Sequence, residues 1–162
     1  MRCSKVIIFE ILFILVTGIL LSCEKTEFHG WHTMTVDSEG NSGYESSIII
    51  DSNYNAHISY HCFSDKDYLK YAKWNKGKWE IQVIDTNESN YSCIVLDSHG
   101  YPNILYSDYY NDLLIKYTKW NGKSWETQIV YTGGVLYGSP SITLDSQDQP
   151  HICFYDGATD NF

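Results

Sequence analysis

Two pairs of tryptophans recur at a fixed spacing and are the side chains of this sequence best suited to binding chemistry. The phrase KYAKWNKGKW begins at Lys70, and KYTKWNGKSW begins 46 residues later at Lys116. An aromatic plane matches the apolar face of a sugar ring, so these side chains are candidates for stacking on carbohydrate. Recurrence in every unit also suits packing between units. The candidates, for ligand stacking or for packing, are Trp74, Trp79, Trp120, Trp125, Tyr109 and Tyr110.

Carboxylates are plentiful, but none occupies a position that marks it as catalytic. The segments FSDKD, SDYYND and YDGATDN are acidic. Their oxygens are of the kind that calcium prefers, yet the spacing matches no calcium-binding loop. A glycosidase needs two positioned carboxyl groups, and no acidic residue breaks the repeat pattern in a way that singles it out. We predict a solvated acidic rim, with no catalytic residue, no metal and no cofactor.

The amino terminus has the features of an export signal. Arg2 and Lys5 precede the apolar run 11–21, which is too short for a comfortable membrane span. The run ends in LLSC, which resembles the lipobox of bacterial lipoproteins and implies cleavage before a lipidated Cys23. An ordinary secretory signal with an incidental cysteine is the alternative. We predict a signal peptide over 1–22, a lipidated cysteine and linker over 23–30, and attachment to the bacterial cell envelope outside the cytoplasm.

The charge of the remaining chain argues against two classes of partner. From Cys23 onward there are nine lysines, no arginine and nineteen carboxylates, a net charge of −10. A nucleic-acid partner requires cationic groups that neutralise phosphates, and an anionic membrane surface requires the same. The lipid, not charge, is therefore expected to hold this protein at a membrane. Cys62, Cys93 and Cys153 have neither metal-ligand nor redox spacing.

An internal repeat organises the chain. The segments SSIIIDSNYNAHISYH, SCIVLDSHGYPNILYS and PSITLDSQDQPHICFY align, and they place Asp51, Asp97 and Asp145 in register at steps of 46 and 48. Each aspartate begins a turn-rich segment, where its carboxylate is suited to cap the turn by accepting backbone N–H bonds. We predict that these three residues are turn caps.

Within each unit the periods are those of β-strands. Short β-branched runs alternate with turn residues, and the dipeptide Asn121-Gly122 is a strong hairpin signal because both residues accept a positive φ. No stretch after Cys23 has a convincing helical period. Each unit therefore reads as four short antiparallel strands.

A unit of about 46 residues with four strands has the size of a β-propeller blade. We predict an incomplete all-β propeller of about two full blades plus partial ones; a β-sandwich and a β-solenoid are the alternatives. The predicted pieces are a strand at 31–37, blades at 46–85 and 92–131, and a half blade at 140–162. The first piece aligns with a fourth strand, because GWHTMTVD matches KWEIQVID at a step of 48.

Propellers close with about four to eight blades, so these units need neighbours. The sequence leaves two ways to supply them. Either the chain is a piece of a longer protein, which the half-finished third unit favours, or several chains assemble a ring. Open blade edges also make self-association possible.

The repeat resembles one found in secreted and surface-anchored bacterial and archaeal proteins, roughly LDSxGxPHISYYD…LKYAxWNGxxW. The matching stretches are Leu96-Asp97-Ser98, His57-Ile58-Ser59-Tyr60, Leu69-Lys70-Tyr71-Ala72 and Trp120-Asn121-Gly122. Ala56 and Asn103 depart from the pattern. The resemblance implies a propeller of sialidase type or fucose-lectin type. Sialidase chemistry would need an arginine cluster for the substrate carboxylate, and the chain after Cys23 contains no arginine.

These observations favour a noncatalytic, lipid-anchored surface propeller that binds a glycan or a surface protein. Two alternatives remain open at this point. One is the amino-terminal part of a propeller glycoside hydrolase whose catalytic residues lie beyond Phe162, and the other is a structural envelope protein.

Overall fold

The computed structural model describes residues 5–8, 30–64, 67–87, 89–108, 114–133 and 139–156. Within these ranges the chain forms β-strands and no helix, so no described segment is a helix able to cross a membrane. The strands are β1 (Lys5–Ile8), β2 (His32–Thr35), β3 (Asn41–Ile50), β4 (Ala56–Phe63), β5 (Asp67–Asn75), β6 (Lys78–Asp85), β7 (Ser89–Leu96), β8 (Pro102–Asp108), β9 (Leu114–Trp120), β10 (Trp125–Thr132), β11 (Ser141–Leu144) and β12 (Pro150–Cys153).

The strands form antiparallel sheets that follow the repeat. The first sheet has the order β3-β4-β5-β6, the second β7-β8-β9-β10, and the third contains β11 and β12. Every pairing within them is between consecutive strands. The prediction of four-stranded antiparallel units is confirmed, and none of the described sheets closes on itself.

Two strands begin earlier than the predicted units. β3 starts at Asn41 and β7 at Ser89, each with a bulge near its start. The residues at the bulges, Glu45 and Tyr91, have φ values of 46° and 44° and lie 46 residues apart. A bulge adds an unpaired residue and interrupts the alternation, so a period-two pattern stops there although the strand continues.

The hairpin chemistry differs from the prediction. Positive φ at two consecutive residues occurs in the β5–β6 turn, at Lys76 (49°) and Gly77 (87°). Asn121 does not adopt a positive φ; its side chain accepts the backbone N–H groups of Lys123 and Ser124 at 2.8 and 2.9 Å. The loop 121–124 is thus longer than a two-residue turn, and the asparagine caps it.

The sheets stack in chain order, with the second sheet between the first and the third. We call the face that carries Ile58, Ile104 or Ile152 the front face of its sheet, and the opposite face its back face. The front face of the second sheet packs on Leu69 and Tyr71 of the first, and its back face packs on Ile142 of the third.

Stacking on both sides changes which strands are buried. Every residue of β8 (Pro102–Asp108) is buried, and β4 is buried from Ala56 to Cys62. A two-sided core of this kind removes the inside–outside alternation that a one-sided sheet would show.

The amino-terminal predictions fall largely outside the described residues. Cys23 and the linker up to 29 are not described, while β1 lies within the predicted signal peptide and pairs with β2. Lipidation therefore stays a prediction. The described cysteines form no disulfide: Cys62 is buried, Cys93 half-buried and Cys153 exposed.

Candidate functional site

A buried polar cluster joins β2 to the first sheet. Asp37, just after β2, accepts hydrogen bonds from the Tyr60 hydroxyl and the Lys70 ammonium group, both at 2.9 Å to Oδ2. All three residues are buried. We call this arrangement the clamp.

The clamp recurs between the first and second sheets. Asp85, at the end of β6, accepts from the Tyr106 hydroxyl at 2.8 Å and from Lys116 Nζ at 3.2 Å. Lys116 also donates to Asp108, which is buried, at 2.6 Å. The aspartate follows β2 in the first clamp and ends the fourth strand of the first sheet in the second clamp, and in both the tyrosine and lysine come from the following sheet.

The junction between the second and third sheets uses the same positions, but with different side-chain chemistry. Tyr131 aligns with Asp85 and Phe154 with Tyr106, and their rings lie 5.0 Å apart. The Tyr131 hydroxyl donates to Asp156, the repeat counterpart of Asp108. Asp108 and Asp156 are therefore buried partners in junctions, which corrects the prediction of a solvated acidic rim for these two residues. Asp65 lies outside the described residues.

The electrostatics of the clamp favour fixed charges. Burial alone would raise the pKa of Asp37, but hydrogen bonds from the Glu39 backbone, Lys70 and Tyr60 more than offset it and lower the pKa. Burial opposes the charge on Lys70 as well, yet its bond to Asp37 raises the lysine pKa. Each group holds the other ionised, which suits a structural link and not proton transfer.

The three repeat aspartates lie in the turns between the first two strands of each unit. Asp51 Oδ1 accepts the backbone N–H groups of Asn53 and Asn55, both at 2.8 Å. Asp97 and Asp145 make the same pair of bonds in their own turns, at 2.8–2.9 Å. Burial opposes ionisation of Asp51, but bonds from Asn55, His57 and Asn53 lower its pKa from 3.8 to about 2.

A histidine links the first turn to the third strand. His57 is buried, with Nε2 3.3 Å from Asp51 Oδ2 and Nδ1 2.7 Å from the Tyr71 hydroxyl. Burial lowers the pKa of His57, which favours the neutral ring. The second unit places Asn103 there, which accepts from the Tyr117 hydroxyl. An Asp–His–Tyr series that is sealed from solvent and replaceable by asparagine is a structural connection, not a catalytic relay.

Among the candidate tryptophans, we call those that pack on a hydrophobic cluster inward and those that do not outward. Trp79 packs on the cluster that includes Ile58. Trp125 packs on the cluster that includes Tyr71, and the Trp125 and Tyr71 ring centroids are 5.3 Å apart. Trp74 and Trp120 belong to none of the described hydrophobic clusters and are half-buried at the hairpin ends.

Each outward tryptophan lies beside an inward one. Trp74 and Trp79 are register partners with ring centroids 5.1 Å apart, edge to face, and Trp120 and Trp125 repeat this at 5.5 Å. The other two candidate aromatics, Tyr109 and Tyr110, lie outside the described residues.

One junction brings an outward tryptophan opposite polar groups. Trp125 Nε1 donates to Gln82 of the first sheet at 3.0 Å. Trp120 is the register partner of Trp125, so both lie on the front face of the second sheet, which faces the back face of the first sheet. On that back face, Asn75 Nδ2 donates to Glu80 Oε1 at 3.0 Å. We call the set Trp120, Trp125, Asn75, Glu80 and Gln82 the junction site.

The front face of the first sheet lacks such a partner. It faces β2, where the repeat counterparts of Glu80 and Gln82 are His32 and Met34. Trp74 therefore has the same neighbours in its own hairpin as Trp120, without the amide and carboxylate pair opposite. Sequence reasoning could list the tryptophans but could not separate these two settings.

The substitution Met34→Gln tests the packing of Trp79. The buried Trp79 Nε1 has no hydrogen-bond partner in the part of the chain described, whereas Trp125 Nε1 has Gln82. Supplying an acceptor should raise the free energy of unfolding by about 1 kcal/mol, measured by urea denaturation. Met34→Leu, which adds no acceptor, is the control. Equal stability of the two variants would contradict the alignment of β2 with β6.

The described fold is that of an all-β protein built from repeated antiparallel sheets, and it is similar to solved structures. No family model and no curated protein sequence matches the chain. Among solved structures it is similar to a fucose lectin from Kordia zhangzhouensis in complex with methyl-fucoside, at 21% identity and a TM-score of 0.41, covering 64% of this chain and 76% of the lectin. At this level the similarity assigns no ligand to this chain. Among the described residues, no group of histidine, cysteine and acidic side chains is arranged to hold a metal ion.

Proposed function

We propose that this chain is a binding module of the β-propeller type, held at the cell envelope by a lipid on Cys23, that binds carbohydrate at the junction site. The observation that carries the ligand class is the bond from Trp125 Nε1 to Gln82, because it sets the face that carries Trp120 against the face that carries the Asn75–Glu80 pair. The sheets act as blades that position these groups, and no catalytic step is involved.

The chemistry of the junction site suits a neutral sugar. A pyranose presents an apolar face, which stacks on indole, and a rim of hydroxyl groups, which both donate and accept hydrogen bonds. Glu80 accepts, and the amides of Asn75 and Gln82 offer donors and acceptors. Few precisely placed polar groups beside aromatic side chains are the usual composition of a small-molecule site.

The stacking of the sheets supports the propeller arrangement. The first two sheets are four-stranded meanders and the third begins with the same two strands. The second and third sheets each pack the front face on the back face of the preceding sheet. The clamps occur at the same repeat positions in successive junctions. A β-sandwich needs two facing sheets and no such serial repetition.

The substitution Trp120→Ala provides the test. Titration calorimetry of the full protein with the best sugar from a glycan array should show at least a tenfold loss of affinity, because the stacking surface is removed; tenfold corresponds to about 1.4 kcal/mol. Trp74→Ala is the matched control, since it removes the equivalent side chain from a hairpin with no amide and carboxylate pair opposite. Its affinity should equal that of the parent.

A second pair of variants separates the polar contribution. Glu80→Gln should weaken binding of the same sugar. Glu126→Gln changes the repeat counterpart on the back face of the second sheet and should leave the affinity unchanged. Equal losses from both tryptophan variants would place binding elsewhere. An array on which the full protein binds no sugar would overturn the carbohydrate proposal.

A further inference from the structure

We infer that the front face of the first sheet binds the third sheet of a second copy of this chain, head to tail. The contact would repeat the two junctions already present within one chain. This inference does not depend on the carbohydrate proposal, because it uses different residues and a different readout.

Repeat counterparts show that the β3 part of the front face of the first sheet lacks a cover, although its β4 part is buried beneath Val36. Ile48 on β3 is 49% exposed, whereas its counterpart Ile94 on β7 is 5% exposed beneath the first sheet. Ile50 is exposed to the same degree, while its counterpart Leu96 is half-buried. The residue types are those of a buried junction, so the difference arises because no sheet in the part of the chain described covers β3.

The back face of the third sheet is the complementary exposed surface. His151 has a side chain 65% exposed, although its counterparts His57 and Asn103 are buried. Cys153 is exposed where Ser59 is fully buried. These positions lie at the interior of the first and second junctions, and here they face solvent.

A hydrogen-bond series along the innermost strands identifies the register. At the first junction the Ile94 N–H donates to Ser47 Oγ at 3.3 Å. At the second, the Cys93 sulfur accepts from the Ile142 backbone and contacts the Pro140 carbonyl at 3.2 Å. By repeat alignment, Ser141 is the residue that would make the next contact in this series.

The residues that Ser141 would contact follow from the same alignment. Ser141 is the counterpart of Ser47 and Cys93, and the counterparts of Ile142 and Pro140 in the first sheet are Ile48 and Ser46. Both Ser141 and Ser46 are exposed. One copy therefore carries both halves of a third junction, at opposite ends of its stack.

Two halves at opposite ends make a heterologous contact, which closes into a ring if the rotation permits. A second copy is the occupant that supplies the required back face, because the contact continues junctions already built by this chain. The net charge of −10 opposes association of copies, so we expect tighter association as salt rises and screens the repulsion.

Cysteine cross-linking of the full protein tests the register. Full protein carrying Ser46→Cys, mixed with full protein carrying Ser141→Cys, should form a covalent dimer under mild oxidation, and neither variant alone should exceed the parent. The matched control is the double variant Ser47→Cys, Ser92→Cys, which places the equivalent pair at the first junction and should close within one chain. Closure of this control without any dimer in the mixture would overturn the inference.

Sedimentation of the full protein in detergent provides an independent readout. Parent protein should sediment as an oligomer, and Ile48→Asp should shift it toward the monomer. Ile129→Asp changes an apolar residue of similar exposure, 56%, on the outer strand β10 and should leave the mass unchanged. A parent that sediments as a monomer, or equal shifts from both variants, would contradict the assignment.

Discussion

Replacing Asp37 by alanine is expected to lower the free energy of unfolding by about 3–5 kcal/mol, because it leaves a buried lysine without its buried counter-charge. Lys70 is 5% exposed and its bond to Asp37 is 2.9 Å long. The Tyr60 hydroxyl loses the same acceptor. The remaining acidic neighbour of Lys70 is Glu39, at 3.6 Å from Lys70 Nζ. The Glu39 side chain is 87% exposed and cannot replace a buried carboxylate.

Two matched variants separate the buried clamp from its exposed neighbour. Glu39→Ala should cost about 0–1 kcal/mol, as exposed ion pairs do. Asp85→Ala should cost less than Asp37→Ala, because Lys116 keeps Asp108 at 2.6 Å. Urea denaturation of the four proteins gives the comparison. Equal stability of Asp37→Ala and Glu39→Ala would show that the clamp does not hold β2 to the first sheet.

The pH dependence of the difference between parent and Asp37→Ala provides a check on the cause. The pKa of Asp37 is lowered in the folded state, so its contribution is complete above its unfolded value of 3.8 and is lost as pH falls through the folded value. The pKa of Lys70 is raised, so its contribution is complete below 10.5 and is lost as pH rises through the folded value. The stability gap should therefore persist at neutral pH and shrink below about pH 4.

Replacing Cys23 by alanine is expected to abolish incorporation of labelled palmitate and to release the protein from membranes. The expectation comes from LLSC at the end of the apolar run. Several acyl chains give stable anchoring where a single chain binds only marginally, so loss of the modified cysteine removes the anchor as a whole. Labelling and membrane fractionation of cells that express the full protein measure both effects.

Cys3→Ala is the control for the lipid experiment, because it removes a cysteine from the predicted signal peptide without touching LLSC. It should incorporate palmitate like the parent. A parent that takes up no label, together with a Cys23→Ala protein that stays in the membrane fraction, would show that the cysteine is incidental.

The sequence alone determined the strand class, the repeat and the order of strands within a unit. These follow from local physics: β-branched runs favour strands, turn residues separate them, and short connections make consecutive strands antiparallel neighbours. The alignment of Asp51, Asp97 and Asp145 likewise located three equivalent turns. Where the backbone departs from its period, at the Glu45 bulge, the predicted boundary was late by several residues.

The hairpin at Asn121 shows a second limit of local reasoning. Asparagine before glycine is compatible with positive φ at both residues and also with a side chain that caps a longer loop. The loop 121–124 takes the second form, while Lys76-Gly77, a less distinctive dipeptide, has the two positive φ values.

Only the tertiary structure decided what the stacked sheets place together. Nothing in the local pattern distinguishes Trp74 from Trp120, because both belong to the same phrase; the opposing sheet makes one a junction residue and leaves the other without an amide and carboxylate pair. Lys70 and Lys116 read as solvated charges in an alternating strand, yet a carboxylate from the preceding unit makes their burial favourable. Burial and charge pairing depend on groups distant in sequence, about 31–33 residues away in these clamps, and a strand's own period carries no information about which sheet covers it.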